Sequence, residues 1–112
     1  YNMEINDNEL LHMIICSYSE QPRDVATIPQ NNKEPKWFYV YTDGSDIFID
    51  GGRFHTINKS SVKPNTKLDK HNLGKIHEMF NRYKLGLVQR HEIRDMNYSS
   101  SYWFGIFEDL HL

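Results

Sequence analysis

Apolar residues along the chain fall into helical and strand-like patterns. Leu10, Leu11, Ile14 and Ile15 recur at helical spacing and predict a helix over 6–18. Asn6 or Asp7 is placed to cap it, and Glu9 stands in the first turn, where an acid suits the helix dipole. Ser17, Tyr18, Ser19 and Pro22 end it. A second stripe, Leu73, Ile76, Phe80 and Tyr83 with Met79 beside it, predicts a helix over 70–84 with Asp69 as cap and Gly86 as stop. A short helix is expected over 89–96, around Ile93 and Met96. A last helix over 100–110, capped by Ser99, turns Trp103, Ile106, Phe107 and Leu110 inward. Gly105 costs that helix about 1 kcal/mol relative to Ala, which points to close packing at that position.

The strand pattern lies between these helices. Residues 36–42 and 45–50 are rich in aromatic and β-branched side chains, and Asp43–Gly44 between them is a favoured two-residue turn. That turn sets Val40 opposite Ile47, Phe38 opposite Ile49 and Tyr39 opposite Phe48. Both faces of the hairpin are then apolar or aromatic. One face belongs on helices. The other, with Trp37, Tyr39, Tyr41 and Phe48, needs a cover or a partner. Gly51–Gly52 breaks the strand, and 53–57 is expected to return as a third strand, because two alone are marginal. Residues 19–35 carry three prolines and read as a loop, with a short strand at 25–28 as an option; 58–66 is a second loop. The expected architecture is a single α+β domain over 1–112. It joins a 6–18 helix, a 19–35 loop, a hairpin-based sheet over 36–57 and a helical part over 70–110, with about four helices packed on the sheet.

At 112 residues the chain has room for one such domain and none for a barrel enzyme or a full dinucleotide-binding fold. No apolar run approaches the length of a membrane span, so no membrane partner is expected. The first residues are polar and acidic, without a signal-peptide pattern, and the start at Tyr1 rather than Met leaves room for an upstream segment. The lone Cys16 forms no internal disulfide and fits a reducing, cytoplasmic setting.

The net charge of −2 conceals three blocks: −5 over 1–58, +6 over 59–94 and −3 over 95–112. The basic block either offsets the acidic ones, within the fold or across a homodimer, or marks the footprint of a polyanion. It abuts the one motif-like stretch. In Val88–Ile106, Met96 closes a short helix, Asn97 and Tyr98 form a corner, Ser99 starts a second helix, and Trp103 and Ile106 take core positions. This stretch resembles a helix-turn-helix. The resemblance implies DNA binding. Ser100, Ser101 and Tyr102 would face the groove, while Lys75, Arg82, Lys84, Arg90 and Arg94 would hold phosphates. The chain departs from that pattern in having no Arg or Lys on the second helix, which carries Phe104, Phe107, Glu108 and Asp109. The alternative is a module for protein interaction or self-association, built from Trp37, Tyr39, Tyr41, Phe48, Phe104 and Phe107.

The hairpin aromatics also allow stacking of single-stranded bases, although Asp46 and Asp50 oppose a polyanion there, and the first helix or the 19–35 loop is expected to cover them. For catalysis the only cluster is Asp50, Arg53 and His55, which suits a small metal-dependent nuclease with Lys59 or Lys63 nearby. His12 and Cys16 share a helix face at metal-pair spacing, but no second pair accompanies them, and Cys16 reads as a small buried hydrophobe. Asp43, Ser45, Asp46 and Asp50 lack the Gly and Glu positions of a calcium loop. No metal or cofactor is expected. The sequence is read as a non-enzymatic binding or regulatory module, with DNA as the first candidate partner and a protein as the alternative.

Overall fold

Asn6 opens the first helix, α1 (Asp7–Glu20): its backbone is extended and its Oδ1 accepts the Glu9 N–H at 2.8 Å. These details come from a computed structural model that describes residues 6–28, 34–54, 59–60, 62–70, 73–86 and 100–112. The helix continues two residues past the expected stop. Ser17 satisfies its hydroxyl inside the helix, on the Met13 carbonyl, and Tyr18 extends the buried stripe of Leu10 and Ile14. Asp7 has a different task from the one expected. Its Oδ1 accepts the Gly74 N–H at 2.7 Å, in the first turn of the second helix, α2 (Leu73–Lys84). That donor has no partner inside its own helix, so the carboxylate of one helix satisfies the start of the other. Asp69 gives its backbone carbonyl to the Trp103 indole N–H at 2.8 Å, and its expected role as the cap involves residues 71 and 72, which lie outside the described residues. Beyond α2, Gly86 takes a positive φ of 74° and donates to the Tyr83 carbonyl, closing the helix end.

The sheet has four antiparallel strands in the order β1 (Arg23–Ala26), β2 (Trp37–Thr42), β3 (Ile47–Gly51) and β4 (Thr66–Lys67). The hairpin forms, but its register differs from the expected one. Thr42 pairs with Ile47, Tyr41 with Phe48 and Val40 with Ile49. The connection has four residues rather than two. Asp43 Oδ1 accepts the N–H groups of Ser45 and Asp46, Thr42 Oγ1 donates to the Asp46 carbonyl and accepts the Gly44 N–H, and Gly44 sits at φ 95°. Asp43 is thus used as a side-chain acceptor instead of a central turn residue. The shift is two residues, so every side chain keeps its expected face.

The edge strands differ in part from the expected ones. Arg53 and Phe54 form a bend, and 55–58 lie outside the described residues. One edge of the sheet is β1, which overlaps the optional short strand at 25–28 and starts two residues before it, and the other is β4, at the end of the second expected loop. Three helices are described, one fewer than expected: α1, α2 and α3 (Ser100–Asp109); the 89–96 helix lies outside the described residues.

All three helices contribute to one core. Leu10, Ile14 and Tyr18 of α1, Leu73, Ile76 and Phe80 of α2, and Trp103, Phe104, Ile106 and Phe107 of α3 bury against Val25, Phe38, Val40, Ile47 and Ile49 of the sheet. Each large side chain contributes about 1.5–3 kcal/mol by leaving water. A polar knot ties the elements at one end: Asp109 Oδ2 accepts from the buried Tyr18 hydroxyl at 2.8 Å and from Arg23 Nε at 2.9 Å. Burial, with the Asp109 charge beside it, pushes the Tyr18 hydroxyl far above its ordinary pKa and keeps it a donor.

Candidate functional site

Helix α3 should carry the groove-reading residues of the helix-turn-helix pattern. It is instead the most buried of the described helices. Ser100 is 2 % exposed, and Trp103 through Phe107 are buried without interruption. Phe104 packs on Phe80 and Tyr83, and Phe107 on Phe80, His77 and Trp103. Gly105 makes this possible: a Cβ there would lie 2.6 Å from the Ala26 carbonyl oxygen and 3.2 Å from the Phe38 ring. Phe104 is therefore a core residue, not the exposed aromatic expected, and Phe107 is buried as its spacing predicted, so neither serves the proposed interaction surface. An aromatic surface around the whole helix is consumed by the chain's own sheet and α2. Ser101 and Tyr102 are half-buried; the Tyr102 ring meets Phe38 edge-on at 5.0 Å and its hydroxyl lies 3.4 Å from Ser60 Oγ.

The basic candidates lie on α2. Lys75, Arg82 and Lys84 are exposed, while Arg90 and Arg94, with the first helix of the corner, lie outside the described residues. Some of this charge is already engaged. Arg82 Nη2 pairs with Glu78 at 3.0 Å, Lys84 Nζ lies 4.5 Å from the centroid of the Phe80 ring, and Lys70 pairs with Asp46 at 3.0 Å.

Of the cluster proposed for catalysis, Asp50 and Arg53 are neighbours and His55 lies outside the described residues. Arg53 Nη2 stands 3.7 Å from Asp50 Oδ2, a loose pair, and Asp50 Oδ1 accepts the Gly51 N–H at 2.7 Å. Among the described residues no group of three or more His, Cys, Asp or Glu side chains could hold a metal ion. Cys16 is exposed, contrary to the expectation of burial, with its Sγ 3.6 Å from His12 Nε2. The stripe facing the core is Leu10, Ile14 and Tyr18, which leaves Cys16 on the opposite side of α1.

Among the described residues, neither α1 nor the 19–35 segment supplies the expected cover for the aromatic face of the sheet. Helix α1 packs on the other face, and the 19–35 segment supplies the edge strand β1. Tyr39, Tyr41 and Phe48 are half-buried on the face away from the described helices. Tyr41 and Phe48, paired across the strands, stack at 5.7 Å with 18° between their planes; Tyr39 lies 6.0 Å from Tyr41. Phe54, 76 % exposed, extends the row at 6.4 Å from Tyr39. The Arg53 guanidinium covers the Tyr39 ring at 4.1 Å. Two polar groups fix this arrangement. Asp24 accepts the N–H groups of Arg53 at 3.0 Å and Phe54 at 2.8 Å, and so holds the bend that presents both side chains. Asn65, at φ 58°, accepts the Tyr41 hydroxyl hydrogen bond. Burial raises the Tyr41 pKa, the Asp50 charge raises it further, and Arg53 opposes both.

Trp37 joins this face at the far end of β2, across from Ala26. Phe54, Asp24 and Asn65 were not among the sequence candidates. Phe54 was assigned to a strand rather than a bend. The bonds of Asp24 and Asn65 link residues 24 to 30 positions apart and leave no local pattern.

No known protein family matches the chain, and no match emerges among curated proteins or solved structures. Among the described residues no helix is long and apolar enough to cross a membrane.

Proposed function

We propose that the chain is a non-enzymatic binding module that takes a protein partner on the aromatic face of its sheet. The observation that carries this reading is the row Tyr41–Tyr39–Phe54, which lies opposite the helices, ends in a side chain 76 % exposed, and is held in place by Asp24. Tyr side chains are among those that most often dominate protein interfaces. Pre-ordering them lowers the entropic cost of binding.

The duplex-DNA reading draws its support from the exposed Lys75 and Arg82 on α2, with Glu78 bonded to Arg82 at 3.0 Å. The burial of α3 removes support from groove reading by Ser100, and leaves Ser101 and Tyr102 half-buried.

The test is a selection of random displayed peptides against the folded chain. Enriched binders should lose affinity on Tyr41→Ser and on Phe54→Ser, with the thermal midpoint nearly unchanged for Phe54→Ser. Binders indifferent to both changes contradict the proposal. A duplex titration at two salt concentrations separates the competing reading: salt-dependent binding lost on the double change Lys75→Ala and Arg82→Ala would favour DNA.

A further inference from the structure

The Tyr39 ring already holds a cation. The Arg53 guanidinium sits 4.1 Å from its centroid, within the range of a cation–π contact. This internal cation is weakly fixed: its side chain is 54 % exposed and its ion pair with Asp50 is 3.7 Å long. The Arg53 backbone is held separately by Asp24, so the side chain can swing away while the bend stays in place.

The electrostatics of the face point the same way. Asp50 lies directly across from Tyr39, half-buried between the strands, and its charge opposes ionisation of Tyr41. Besides Arg53, the described cation on this face is Lys67, which is exposed across from Phe48 at the β4 edge. Near Tyr39, an aromatic surface is thus combined with a carboxylate that has one oxygen engaged by Gly51 N–H and the other only loosely by Arg53. A polyanion would meet Asp50 there. A guanidinium or ammonium would gain both the ring face and the carboxylate.

We infer that the partner is a peptide segment bearing Arg or Lys, whose cation replaces Arg53 over Tyr39 and pairs with Asp50. This inference rests on the aromatic face being the binding surface, and it makes Arg53 an internal competitor. Removing the competitor should tighten binding, because the fraction of molecules with an open site rises. A contact residue for the partner would show the reverse.

The experiment uses the whole chain and three labelled probes: a short peptide alternating Arg and Gly, its counterpart with Glu for Arg, and a single-stranded oligonucleotide. Fluorescence anisotropy is read for the parent, Arg53→Ala, Arg53→Gln and Asp50→Asn. The Arg peptide should bind the parent, bind both Arg53 variants roughly three- to tenfold more tightly, and bind Asp50→Asn more weakly by a similar factor. Weaker binding to both Arg53 variants overturns the inference. Preference for the Glu peptide or the oligonucleotide, abolished by Phe54→Ser, overturns the cationic partner while the face reading stands. Binding of any probe that ignores Phe54→Ser and Tyr41→Ser, or no binding by any probe, overturns both.

Discussion

Gly105 is the position where one missing side chain decides most. A helix buried over five consecutive residues must approach its neighbours closely, and here the Ala26 carbonyl oxygen lies 2.6 Å from where a Cβ would stand. Gly105→Ala should therefore destabilise the fold by about 1–3 kcal/mol despite the better helix propensity of Ala, read from the urea midpoint. An unchanged or higher midpoint would show that α3 does not sit this close to β1. His77 gives a second residue-scale expectation. Its ring meets Phe107 edge-on at 5.0 Å, and burial pushes its pKa below the ordinary 6.5, with Lys84 adding to that and a hydrogen bond to the Leu112 backbone opposing it. A depressed folded value means the unfolded chain takes the proton first. Its contribution to stability is complete above pH 6.5 and is lost as the pH falls toward the folded value. Thermal midpoints on either side of this window should drop less for His77→Leu than for the parent; equal drops contradict it. The inward direction of Trp103, Ile106 and Phe107 was legible from spacing. That Phe104 joins them was not, because a helix with aromatics on all sides has no polar face to mark the outside.

The hairpin shows what pattern can and cannot supply at the scale of an element. Alternation assigned Phe38, Val40, Ile47 and Ile49 to one face and Tyr39, Tyr41 and Phe48 to the other, and those assignments hold in the structure. Register depends on how the turn satisfies its backbone, which alternation does not encode. The Asp43 carboxylate takes two N–H groups and lengthens the connection to four residues. Those bonds hold its pKa below the ordinary carboxylate value, so the turn is supported at neutral pH and loses that support as acid protonates Asp43 through its folded value. Interstrand nuclear Overhauser contacts should join Tyr41 to Phe48 and Val40 to Ile49; contacts from Tyr39 to Phe48 would restore the two-residue turn. Asp43→Ala should lower the thermal midpoint at neutral pH and weaken its dependence on acid. The edge strands were harder to read for a related reason, and only part of the first was offered, as a short strand at 25–28. Four residues, Arg23–Ala26, and two, Thr66–Lys67, are too short to show alternation, and they become strands because β2 and β3 offer unpaired backbone.

At the scale of the whole molecule, the helices and one sheet face complete a core, and the aromatics left over lie on the other face. The excess of aromatic residues was visible in composition, and so was the hairpin face that carries much of it. The bend that adds Arg53 and Phe54 was not, because it depends on Asp24 reaching across 29 and 30 positions of sequence, which leaves no local pattern. The basic α2 and the sheet's aromatic face belong to different sides of the core, so a partner that uses one need not use the other.

The aromatic face of the sheet is the proposed binding surface. The most direct test is an amide and side-chain chemical-shift map of the isotope-labelled chain titrated with the Arg-bearing peptide. The expected result is a contiguous set of shifts over Tyr39, Tyr41, Phe48, Asp50, Arg53 and Phe54, with α2 silent. Shifts centred on Lys75 and Arg82, with the sheet face unmoved, would contradict it.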